Sequence, residues 1–159
     1  MDKTCMNYEM LRFYNRTNLI DIGIIQRLKI KICIGKFVSR LHLFRDQEQK
    51  WVVDDKGRYR YCDIITLYKT LTSYEWECNE MCFFTSIISY RLIEFALNCI
   101  EKHLKKNFVN TSFIVTVIVQ EGQYSNINVR LNIYRKNELY LGDDLNQFTE
   151  PILYRKILT

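Results

Sequence analysis

The chain has 159 residues, 48% of them hydrophobic and 26% charged, and a net charge of +5. That length and apolar content suit one domain over residues 1–159 and exclude a disordered chain, in which apolar residues are too sparse to offset chain entropy. Residues 1–15 lack the basic start and apolar run of a signal peptide, and no apolar run approaches the roughly twenty residues of a membrane-spanning helix. A cytoplasmic protein with no membrane partner is therefore expected, its six cysteines held as free thiols in a reducing compartment.

In chain order, residues 27–34 alternate Leu28, Ile30, Ile32 and Ile34 with Arg27, Lys29, Lys31 and Cys33. Period two predicts a strand with one buried face. Residues 37–44 make a second, less regular strand. Residues 51–61 read as a short hairpin or loop, with Gly57 available for a tight turn and Asp54–Asp55 as turn residues. Asp63 is placed to cap a helix running to about Ser73, and residues 74–81 (YEWECNEM) read as a connector. The strongest helix spans about 84–106. Its apolar stripe includes Leu92, Ala96, Ile100 and Leu104, and Lys105 and Lys106 lie at the end that the helix dipole makes favourable to cations.

The β-branched run 111–120 then predicts a central strand, and residues 128–135 a second strand paired with it as an antiparallel hairpin. Residues 136–150 form a polar loop with a helical turn starting at Asp143 or Asp144. Residues 151–157 read as a short edge strand, opened by the single proline, Pro151. The fold class expected is α+β, an antiparallel sheet packed against one long and one shorter helix.

Sequence signals for catalysis are few. GxGxxG, Walker, HExxH and GxSxG patterns are missing from the sequence. Nothing local brings together the two histidines, His42 and His103. Cys33 and Cys99 read as small buried hydrophobes. The Cys78–Cys82 spacing lacks a second ligand pair nearby in sequence, so neither a metal nor another cofactor is expected.

Charge is uneven: net +6 over residues 1–74, −3 over 75–98, +4 over 99–136 and −2 over 137–159. Two acidic stretches on a basic body suit a basic partner. The first offers Glu75, Trp76, Glu77 and Glu80, combining an aromatic anchor with acidic groups. The second offers Glu138, Tyr140, Asp143 and Asp144. The alternative is a small nucleic-acid-binding module built on the basic first half, where RYRY interleaves Arg58 and Arg60 with Tyr59 and Tyr61.

The C-terminal segment carries a family resemblance. A strand ending in NVRLNIYR, the loop NELYLGDDLNQF with its acidic pair after the glycine, and the final EPIL resemble the end of immunity proteins from bacterial polymorphic-toxin and contact-dependent growth inhibition systems. The order of GKF, a tryptophan-containing loop and two helices is similar to theirs in outline. The resemblance implies a cytoplasmic protein, not an enzyme, that binds and blocks the toxin domain of a cognate secreted effector. It also implies that the acidic surfaces fill a basic cleft, as on a nuclease. The overall positive charge departs from the acidic balance usual in immunity proteins against nucleases, so local patches have to supply the complementarity.

Overall fold

The computed structural model describes residues 4–46, 48–55, 68, 70–85, 87–122, 125–136, 138 and 144–159. In chain order these form β1 (Thr4–Met6), α1 (Tyr8–Thr17), α2 (Ile24–Val38), β2 (Leu41–Arg45), β3 (Trp51–Asp55), α3 (Leu71–Cys78), β4 (Glu80–Phe84), α4 (Tyr90–Asn107), β5 (Ser112–Gln120), β6 (Asn126–Ile133), a 3-10 turn (Leu145–Gln147) and β7 (Ile152–Leu158). The main sheet is antiparallel in the order β1-β7-β5-β6-β4, and β2 pairs with β3 in a separate hairpin. The class is α+β.

The apolar run of β5 earns its central place. Both of its edges are paired, Val117 opposite Val129 on β6 and Leu153 on β7. Phe113, Val115, Val117 and Val119 point to one face, where they join Leu131, Leu153 and Ile157 in the core. The stripe Leu92, Ala96, Ile100 and Leu104 of α4 closes that core. Its N-cap Ser89 accepts from the Leu92 N–H, which fixes where the helix begins. On the same face Arg155 of β7 reaches Glu94 (3.1 Å) and the Asn98 side chain (3.0 Å).

Several expectations change. Residues 27–34 are helical, not extended. Ile30, Ile34, Phe37 and Val38 are buried at spacings of four, three and one, a helical face that the shorter period-two pattern conceals. The second strand begins only at Leu41. Asp54 and Asp55 lie within β3 and are buried, rather than in a turn. Residues 71–78 are a helix capped by Thr70, so most of the expected connector is α3, and its end is β4. The predicted cap Asp63 and the RYRY segment lie outside the described residues. β7 is interior to the sheet because β1, which sequence reading missed along with α1, covers its other side. Pro151 precedes the strand and so costs no ladder bond. Asn7 knits this end together: its side chain caps α1 by accepting from Met10 and also accepts from the Ile152 N–H.

Candidate interaction surfaces

The sequence-predicted site divides around α3. Thr70 caps the helix by accepting from the Ser73 N–H, and Glu138 reaches the same end, accepting from the Thr72 N–H at 3.2 Å and from the Thr72 hydroxyl. A carboxylate is favoured there because the first helical N–H groups lack internal partners. One turn on, Glu75 points inward and is 0% exposed. Its oxygens accept from the Val53 N–H (2.9 Å), the Ile133 N–H (2.9 Å) and both terminal nitrogens of Arg135 (2.7 and 2.8 Å). Arg135 in turn donates to the Trp51 carbonyl at 2.7 Å. Glu75 thereby joins α3 to β3 and β6. Burial raises its carboxyl above the ordinary range, while Arg135 and the two backbone donors oppose the rise. It is not a surface contact, contrary to the sequence reading.

The outward residues of the same segment sit differently. Arg130 of β6 lies over the Trp76 ring at 4.7 Å and pairs at 3.4 Å with both Glu77 and Glu80. Trp76 is half-buried, and Glu77 and Glu80 are exposed. Asp144 belongs elsewhere. It caps the 3-10 turn by accepting from the Asn146 N–H, and Asn146 accepts from the Tyr8 N–H near the start of β7. Glu138 follows the far end of β6, so Glu138 and Asp144 sit at opposite ends of the sheet rather than in one patch. Tyr140 and Asp143 lie outside the described residues.

The remaining candidates do not assemble. His42 is exposed on β2 opposite Asp54, while Nδ1 of His103 lies 2.8 Å from the Cys99 carbonyl oxygen within α4. Asp54 is fully buried near Tyr74, whose hydroxyl is pushed up by burial first and by Asp54 second. Among the described residues, no group of three His, Cys, Asp or Glu side chains is placed to hold a metal ion. Also among them, no helix is long and apolar enough to cross a membrane.

A second surface escaped the sequence reading. α2 and the β4 edge border an open groove of about 700 Å³, lined in part by Ile25, Ile32, Cys33, Cys82, Phe84 and Ile87. Cys33, expected to be buried, is exposed. Ile24, Ile25, Leu28 and Ile32 are between 48 and 83% exposed, and Phe84 is 76% exposed. With Ile87 these side chains present roughly 200–450 Å² of apolar surface, as much as the largest patch on a typical monomer. The signal was available: besides its buried Ile30, Ile34, Phe37 and Val38, α2 carries Ile24, Ile25, Leu28 and Ile32, more apolar residues than one buried face needs.

Taken together, the layers define an α+β protein with a basic body, an acidic corner at α3–β4 and an apolar groove beside β4. No family model matches the chain, and neither a curated protein nor a solved structure matches it.

Proposed function

We propose that this chain is an immunity protein, which binds the toxin domain of a cognate secreted effector in the cytoplasm and blocks it by contact, with no chemistry of its own. The observation that carries this reading is the corner where α3 meets β4. Arg130 stacks on Trp76 while the Glu77 and Glu80 carboxylates stay open to solvent. An aromatic group held in place by packing keeps little freedom to lose on binding, and flanking carboxylates speed encounter with a basic cleft. The interior anchoring of Glu75 supports the reading indirectly, because it holds α3 and so fixes the corner's shape.

The test is to look for a secreted effector encoded beside this gene, and to measure co-purification and binding kinetics with its C-terminal toxin domain. The expected result is a stable complex that silences the toxin. Glu77→Lys with Glu80→Lys should slow association at least tenfold and flatten its dependence on salt. Unchanged affinity and unchanged salt dependence would remove the corner from the interface, and a missing complex would overturn the reading itself.

A further inference from the structure

Two features that the toxin-binding reading leaves unused lie side by side. The first is the open edge of β4. Among the described residues its only strand partner is β6, on one side. Edge strands are normally blunted by proline, lysine, a bulge or extreme shortness. The sequence EMCFF carries no proline or lysine, its single charge, Glu80, stands at the first position and pairs with Arg130, and the strand pairs with β6 residue for residue over all five positions. The second is the exposed apolar stripe of α2, of which Ile25 and Ile32 line the groove beside that edge. The Gln26 side chain holds the start of α2 to the end of β4 by donating to Thr85 Oγ1 and, at 2.9 Å, to the Ile87 carbonyl.

We propose that β4 pairs antiparallel with β4 of a second copy about a two-fold axis at Cys82, joining the two sheets into one and bringing the two α2 stripes together. Pairing on one face requires a residue to oppose its own copy. Of the five possible centres, Cys82 alone uses the full length of the strand. It sets Glu80 opposite Phe84 of the partner copy, whereas a centre at Glu80 would set two carboxylates together. A stable interface buries about 800 Å² per partner, of which about 60% is apolar. The stripe with Phe84 and Ile87 supplies roughly half or more of that apolar share, and the strand supplies backbone hydrogen bonds. A second copy therefore satisfies the edge and the stripe at once.

The same axis makes a sharp geometric prediction. Opposed residues of an antiparallel pair have Cα atoms about 4.5 or 5.5 Å apart, close to or within the span of about 4.4–6.8 Å that disulfides bridge. Cys82 is exposed, so mild oxidation should join two chains through Cys82 to Cys82. The experiment is sedimentation velocity of the full chain over a concentration series, with oxidative cross-linking in parallel. The expected species has twice the 19.3 kDa mass of one chain, and its cross-link disappears in Cys82→Ser. Phe84→Lys and Ile25→Glu alter exposed side chains that line the groove, and each should weaken dimerisation at least tenfold while circular dichroism shows the fold retained. A monomer at every concentration overturns the proposal. So does a dimer indifferent to both substitutions, or one cross-linked without Cys82. Because no toxin enters the assay, these failures leave the toxin-binding reading untouched.

Discussion

The surroundings of α3 and of α2 place their residues in opposite ways. At α3 a carboxylate that a surface reading would leave in water, Glu75, is sealed inside by Arg135 and two backbone N–H groups. At α2 four apolar side chains that a core reading would bury stand in solvent. Exposed single hydrophobes are ordinary in proteins, but a buried charge and a contiguous apolar stripe are both informative. The first spends its charge on holding elements together. The second leaves apolar surface in water, where cover by another surface would be favourable.

The largest effect expected on this comparison comes from Glu75→Ala. Removing one partner of a buried pair strands the other, and the loss is typically about 3–5 kcal/mol. Here Arg135 and the N–H groups of Val53 and Ile133 all lose their acceptor. Urea denaturation should show that loss. A cost below 1 kcal/mol would mean that α3 is not held by this network. Within α2 the contrast can be tested on one helix. Ile34, fully buried, should cost about 2–5 kcal/mol when changed to alanine. Leu28→Ala should stay within about 0.5 kcal/mol for the monomer. Equal costs at the two positions would show that the stripe is already covered.

A smaller effect concerns pH. Burial raises the Glu75 carboxyl in the fold, so the folded chain holds that proton more tightly than the unfolded one. This contribution to stability is complete below the unfolded value of about 4.3 and is lost as pH rises through the higher folded value. Each unit of separation amounts to about 1.4 kcal/mol. Subtracting the stability–pH profile of Glu75→Gln from that of the native chain isolates the term, and the difference should fall with rising pH. A rising difference would mean that Arg135 and the backbone donors outweigh burial.

How much of this was legible in the sequence follows from the range of the forces involved. The β5–β6 hairpin and the Leu92–Leu104 stripe were readable, because period and β-branching are local. α2 was misread because Leu28, Ile30, Ile32 and Ile34 satisfy period two, while the helical face Ile30, Ile34, Phe37 and Val38 is decided by packing on α4. β1 has three residues, too few to show a pattern, and its pairing with β7 spans most of the chain. In the site, Trp76, Glu77 and Glu80 were found together because they lie within one turn and one strand end. Glu75 belonged to the same acidic run, and partners distant in sequence hold it inward: Arg135, sixty positions away, and the N–H groups of Val53 and Ile133.

The smallest stability effect is expected two residues from the largest. Glu77 pairs with Arg130 at 3.4 Å with 57% of its side chain exposed, and exposed ion pairs contribute about 0–1 kcal/mol. Glu77→Gln should therefore leave the denaturation midpoint almost unchanged, since Arg130 keeps Glu80 and the Trp76 ring. Its association with a basic partner should nonetheless slow, because long-range attraction depends on net charge and not on whether a pair is internally satisfied. Glu75→Ala should show the reverse: a large stability loss, with any slowing of association traceable to unfolded chain. If Glu77→Gln destabilises as much as Glu75→Ala, then α3 is held on both sides, and the corner is architecture rather than a surface free to meet a partner.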